Sequence, residues 1–431
     1  MSTIDRLKRL TGEQPGSEPD GKEAVLNDLR RRIEGIMSRR EPTAPRPVRP
    51  ARPVPHDLSY ALGGEEIRGS FGACHFIRNR HAGDSRHGHS LIRDCMQIDM
   101  PIAALMGSQP QLARLAPKDA LFLDTETTGL SGGTGTFPFL VGLGWFEEHD
   151  FITCQLLSRD FSEERAMLGF LQDMAADKRF LVTFNGKAFD VNLLGTRYVL
   201  ARLPDPLSGM PHLDLLNPSR RLLGHRTSNC RLVTLEAEVL GFSRLGDIPG
   251  WEIPQRYFEW LSTRDPALLA DILEHNRWDI VSMAALAVLL TGVLSGRESY
   301  ARHPGDLLAA ARVLHERGCL SDAQRLLEAV LEHPEQSHTR EARRLLSLIH
   351  KRAGRWAAAV TIWEELLASD PTDTFAGEEL AKWCEHRSRD ITRAITLVEQ
   401  ALAAPQALDA ALRANLGHRL QRLLTKQGKT F

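Results

Sequence analysis

Cysteine is sparse and unpaired in this sequence. Cys74, Cys95, Cys154, Cys230, Cys319 and Cys384 are scattered, with no C-x-x-C pair among them. That argues against a zinc ribbon and against a disulfide framework, and fits a reducing, cytoplasmic setting. An excess of positive charge is missing too. The formal net charge is −1, so a polyanionic partner would have to be met by local basic patches. No run approaches the ~18 apolar residues that span a bilayer. The first residues, MSTIDRLKRLTGEQPG, lack the apolar segment of a secretory signal. The expectation is a cytoplasmic protein with no membrane partner.

What is present divides the chain into three parts. Residues 1–57 carry a short helical stretch around 24–37, then a Pro/Arg-rich run from Pro42 to Pro53 that can hold neither a helix nor a central strand. This segment reads as disordered, either a solvated spacer or a nucleic-acid contact. Residues 58–298 read as one α/β unit, and 58–115 form a β-rich extension to it. A hairpin is expected at 67–77, strands at 121–123, 137–146, 151–157 and 180–184, and helices at 161–175, 187–202 and 266–290. Strands followed by crossover helices predict a mixed sheet. His81, Asp84, His87 and His89, near Cys74 and Cys95, form a loose set of potential ligands whose spacing matches no zinc pattern.

Beyond Pro304 strand signals stop. Gly318 and Gly354 are 36 residues apart, as are Ala323 and Ala359; Pro334 and Pro371 are 37 apart. Paired amphipathic helices at that period resemble tetratricopeptide repeats, so 304–431 is expected to be an all-α repeat domain able to dock a protein partner. An irregular helical bundle fits the same pattern.

The chemistry concentrates in acids. Asp124 and Glu126 follow the apolar run Leu121-Phe122-Leu123, and i, i+2 spacing on a strand puts both on one face. Such a pair is costly unless a cation neutralises it. Thr127, Thr128 and Gly129 open a Thr/Gly-rich stretch over 127–136, where glycine permits close backbone approach and hydroxyls can bond a phosphate. Asp190 stands where a strand has ended and a helix begins, with Asn185 and Phe189 beside it. Those two offer an amide to a sugar or phosphate and a ring to a base. His275 and Asp279, at i, i+4, share one helix face. If the four acids converge, hard oxygen ligands select two Mg²⁺ or Mn²⁺ ions. Such a pair can hold the attacking and leaving oxygens of a displacement at phosphorus. A basic stretch, Arg220, Arg221, His225, Arg226 and Arg231, reads as a guide for a phosphate backbone or as a solvated helix face.

Together, Asp124-x-Glu126, Asn185-x-x-x-Phe189-Asp190 and His275-x-x-x-Asp279 resemble the DEDD exonuclease superfamily, which has a ribonuclease H-like fold. The surrounding Leu123-Asp124-Thr125-Glu126-Thr127-Thr128-Gly129-Leu130, Cys230-Arg231-Leu232-x-Thr234-Leu235-Glu236, Asp247-Ile248-Pro249-Gly250 and His275-Asn276-x-x-Asp279-Ile280 narrow the resemblance. They are similar to the YprB-type ribonuclease H-like domain, a relative of family B polymerase proofreading domains. The resemblance spans roughly 58–295. It implies a 3′→5′ exonuclease on single-stranded DNA or RNA ends. Asp124, Glu126, Asp190 and Asp279 would be metal ligands, His275 the base, and Thr125, Thr127, Thr128, Gly129, Asn185 and Phe189 substrate contacts. The third motif departs from the usual pattern, because a histidine stands four residues before the aspartate where a tyrosine is usual. Two rivals share these residues: a helical-repeat scaffold with an inactive nuclease-like domain, and an endonuclease that cuts RNA in hybrids.

Overall fold

The computed structural model describes residues 58–129, 135–403 and 410–428. The expected features of 1–57 and residues 130–134 of the Thr/Gly stretch lie outside the described residues. The strands are β1 (Glu65–Gly69), β2 (Gly72–His81), β3 (Arg86–His87), β4 (Ser90–Leu91), β5 (Ala120–Thr127), β6 (Pro138–Glu147), β7 (Asp150–Leu157), β8 (Phe180–Thr183) and β9 (His212–Asp214). Seven of them make one mixed sheet in the order β1-β2-β7-β6-β5-β8-β9, while β3 and β4 pair separately. β5, β6 and β7 run antiparallel in succession, and β8 and β9 continue parallel on the other side of β5. The expected hairpin is β1–β2, added antiparallel to the β7 edge. β9 is too short to announce itself in the sequence.

β5 is central because alternate residues feed two cores. Ala120 and Phe122 pack into the cluster built around a long helix, and Leu121 and Leu123 into the opposite one. Period-two geometry then sends Asp124 and Glu126 to the long-helix side and Thr125 to the other. The helices flanking the sheet are α1 (Leu58–Leu62), α2 (Met100–Gly107), α3 (Glu164–Ala175), α4 (Asp190–Ala201), α5 (Leu216–Leu222), α6 (Leu232–Leu235), α7 (Ile253–Thr263) and α8 (Ala267–Ser295). A π turn, Glu236–Leu240, extends α6.

α8 carries no charge from Ile280 to its end. Its apolar window reaches a mean hydropathy of 1.8, but 83% of that window is buried inside the protein. It is hydrophobic all round because it is covered all round: the sheet packs on one side and the helical tail on the other. That tail comprises α9 (Pro304–Glu316), α10 (Leu320–Glu332), α11 (Thr339–Arg352), α12 (Trp356–Ser369), α13 (Thr374–Trp383), α14 (Ile391–Ala403) and α15 (Ala410–Gln427). Gly318 and Gly354 turn α9 into α10 and α11 into α12 with φ of 80° and 72°, which glycine adopts without strain. One continuous core runs from Phe122 and Val182 through α8 into Leu308, Leu326 and Ile349 of the tail. A second core fills α12 to α15 around Trp363, whose Nε1–H donates to Ser347 Oγ at 2.9 Å. The first tail helices therefore share the core of the α/β unit.

Candidate active site

The strand acids meet α8 because β6 carries glycine where the helix crosses. Gly142 pairs with Asp124 in the ladder. A Cβ on Gly142 would stand 2.2 Å from Asn276 Oδ1, and one on Gly144 2.5 Å from Ile280 Cγ2. Residues 276 and 280 are one helical turn apart, so two glycines let one turn of α8 lie directly on β6. Asn276 is fully buried. Its Nδ2 donates to Asp124 Oδ2 at 2.8 Å, and its Oδ1 accepts from Gln155 Nε2 at 3.0 Å. His275 and Asp279 flank it on the same helix.

Asp190 arrives from the opposite side of β5. It opens α4, where its charge suits the helix dipole. Its Oδ1 accepts from the Thr125 amide at 3.1 Å and the Thr125 hydroxyl at 2.5 Å. The turn before it is set by Asp214 at the end of β9, which accepts from the backbone N–H groups of Asn185 (2.9 Å) and Lys187 (3.0 Å). Asn185 sits at φ 67° within that turn. Phe189, half exposed, faces solvent.

The structure brings Glu126, His275 and Asp279 together, each offering a ligand atom within 4.8 Å of the others. Asp124 and Asp190 lie close enough to act electrostatically on Glu126. Burial first, then the Asp279 and Asp190 charges, push Asp124 well above the usual carboxylate range. Burial and then Asp124 do the same to Glu126. Burial raises Asp190 despite its Thr125 hydrogen bonds. Among the described residues, no Lys or Arg ion pair reaches Asp124, Glu126 or Asp190; the direct partners of Asp124 and Asp190 are the neutral Asn276 and Thr125. Clustered oxygens that resist ionisation and lack a cation fit a divalent metal of the Mg²⁺ or Mn²⁺ class.

One cation is built in, and the sequence reading had no role for it. Arg244, with its side chain 2% exposed, pairs with Asp279. It also holds Glu236 through two bonds of 2.6 Å and Asp247 at 3.1 Å. Glu236 belongs to the π turn, and burial raises it even beside Arg244. Asp247 Oδ1 lies 2.7 Å from His275 Nδ1. A carboxylate only accepts, so His275 Nδ1–H donates to Asp247, and Nε2 lies 3.6 Å from Asp279 Oδ2. Glu236 and Asp247 fall within the stretches that carried the family resemblance. Arg244 stands between them, and the tight Gly241–Gly250 loop was the available signal.

The RNase_H superfamily model matches residues 121–291. The chain is also 33% identical over 311 residues to the Bacillus subtilis (strain 168) protein named "Uncharacterized protein YprB", covering 71% of this chain and 74% of that one. The chain belongs to the YprB family. Its RNase H-like domain contains all five residues of the acid–histidine cluster and supports a nuclease-type function, for which divalent metals are general in this superfamily.

Several threonines among the expected contacts are bonded within the protein. The Thr125 hydroxyl is committed to Asp190 and that of Thr127 to the Gly129 carbonyl at 2.8 Å. Thr128 Oγ1 accepts from the Phe137 amide at 3.0 Å. These threonines close the base of the loop. Within the basic stretch, Arg221 pairs with Glu316, and Arg226 and His225 with buried Asp306, while Arg220 and Arg231 are exposed. Among the described residues, His81, His87 and His89 join no cluster of potential metal ligands. His87 bonds Ser282 Oγ at 2.7 Å and His81 bonds Thr153 Oγ1 at 3.1 Å. Burial pushes both down to about 4, which keeps them neutral.

Proposed function

We propose that this YprB-family protein is a metal-dependent 3′→5′ exonuclease acting on single-stranded nucleic-acid ends. The observation that carries the reading is the convergence of Glu126, His275 and Asp279 beside Asp124 and Asp190, three of the acids being ones whose ionisation burial disfavours. Two divalent ions held by Asp124, Glu126, Asp190 and Asp279 would polarise the phosphodiester and stabilise its attacking and leaving oxygens. The chain's own residues do the rest. Asn276 and Thr125 orient Asp124 and Asp190. His275 accepts a proton from the attacking water at Nε2, because its Nδ1–H is committed to Asp247. Phe189 offers a ring face to a terminal base, and Asn185 an amide to the sugar or phosphate beside it.

The test uses 3′- and 5′-labelled DNA and RNA, single- and double-stranded, with Mn²⁺ and with EDTA. Expected is Mn²⁺-dependent release of mononucleotides from the 3′ end of single strands, absent in Asp124→Asn. Internal fragments would favour an endonuclease. Equal degradation by Asp124→Asn, or activity in EDTA, would refute the mechanism. An inert scaffold with a retired site has no reason to keep acids that repel one another, and it predicts binding without hydrolysis.

A further inference from the structure

A second convergence of ligating side chains lies where the α/β unit meets the helical tail. His225 follows α5. His303 caps the N-terminus of α9, and Asp306 stands in the first turn of that helix. Each of the three presents a ligand atom within 4.8 Å of the others. His338, at the start of α11, closes a third side; its ring centroid lies 6.4 Å from that of His225 and 5.9 Å from that of His303. Asp306 is 1% exposed.

Gly305 gives the cluster its opening. A Cβ there would stand 2.6 Å from His225 Nε2 and 2.8 Å from His303 Nδ1. Glycine thus leaves space between two nitrogens that a methyl group would fill. The φ of Gly305 is not in the left-handed region, so backbone geometry does not account for its choice.

We propose that His225, His303 and Asp306 form a binding site for a transition-metal ion of the zinc class. Two imidazoles and one carboxylate suit Zn²⁺ or Co²⁺ and are poor for Mg²⁺, which demands oxygen. Arg226 Nε donates to Asp306 Oδ1 at 2.7 Å and remains as the outer partner that orients the carboxylate. The Gly305 amide, which donates to His303 Nδ1 at 3.0 Å, gives up that contact when the nitrogen ligates. The ion would tie the turn after α5 to the start of α9. It is separate from the acid cluster on β5 and independent of the exonuclease reading.

The full-length chain, stripped with chelator, is titrated with Co²⁺ and Zn²⁺. The Asp124→Asn/Glu126→Gln double variant removes competing uptake at the acid cluster. Expected in that background is one bound Co²⁺ per chain, with visible d–d absorption that Zn²⁺ displaces. His225→Gln and His303→Asn should each weaken binding by at least the roughly hundredfold that losing an outer partner of a ligand can cost, and Zn²⁺ should raise the melting temperature of the parent but not of either variant. Asparagine keeps the helix cap at 303, and far-UV dichroism checks that both variants fold. No uptake in the double variant, or uptake that both histidine variants preserve within about tenfold, overturns the proposal.

Discussion

Replacing Gly142 by alanine, on a strand that contributes no residue to the acid cluster, should disable that cluster. The new Cβ would lie 2.2 Å from Asn276 Oδ1 and 2.7 Å from its Cγ and Nδ2. Ordinary contact needs about 3.5 Å, so Asn276 must retreat by about 1 Å. The helix cannot simply lift. Ile280 seats on Gly144 one turn away, and the Leu273 carbonyl accepts from Gln155 at 2.8 Å one turn before. Overpacking of this kind costs about 1–3 kcal/mol. Losing the Asn276 bond to Asp124 adds about 1–2 kcal/mol. A displacement near 1 Å at a catalytic group lowers turnover roughly a hundredfold. The expected result is therefore a stability loss of about 3 kcal/mol in urea unfolding, with nuclease activity down about a hundredfold. Asn276→Ala removes the clashing atoms. The double variant should be less destabilised than the sum of the singles by about 1–3 kcal/mol, yet remain inactive because Asp124 has lost its partner. Strictly additive losses, or a Gly142→Ala protein as active as the parent, would refute the chain of contacts.

Two further outcomes follow from the electrostatics. Asp124, Glu126 and Asp190 all titrate above their unfolded values of about 4. The unfolded chain ionises first, so without metal the folded state loses stability as pH rises from about 4 through the raised values. Urea midpoints in EDTA should fall over that span, and saturating Mn²⁺ or the Asp124→Asn/Glu126→Gln pair should flatten the fall; a flat profile in EDTA contradicts the cluster. Arg244→Met leaves Glu236, Asp247 and Asp279 without their shared cation. It should cost about 3–5 kcal/mol and lower hydrolysis, and a melting temperature within a degree of the parent's would show that the arginine is dispensable.

Much of the candidate site is legible in the sequence because its pieces are short and local. Period two puts Asp124 and Glu126 on one face, and i, i+4 spacing puts His275 and Asp279 on one face. What escaped is set by contacts between distant segments. Asn276 reads as motif text until Gly142 is seen beneath it, 134 positions earlier in the chain. Arg244 reaches Asp279 across 35 residues, and its role depends on a π turn that no propensity marks. The pairing of Arg221 and Arg226 was hidden because their acids, Glu316 and Asp306, lie 80 or more residues downstream. The boundary near Pro304 follows the end of strand signals. An all-apolar helix such as α8 cannot show which elements cover it, so the core shared with α9 to α11 was invisible.

The charges around β5 explain why an internal arginine does not replace a metal. Arg244 sits on one flank, where it faces Glu236, Asp247 and Asp279 with the help of His275. On the other flank the donors to Asp124 and Asp190 are the neutral Asn276 and Thr125, and among the described residues no ion pair reaches Glu126. Each additional carboxylate pair near 4 Å costs up to about 4 kcal/mol at an effective dielectric of 20. One guanidinium already shared among three acids cannot offset that. Asp279 joins the two flanks: one oxygen is taken by Arg244 and the other turns toward His275 Nε2. The arginine thus fixes the carboxylate's orientation and leaves its second oxygen facing His275. That division of labour leaves the acids beside β5 suited to a divalent cation bound to oxygen.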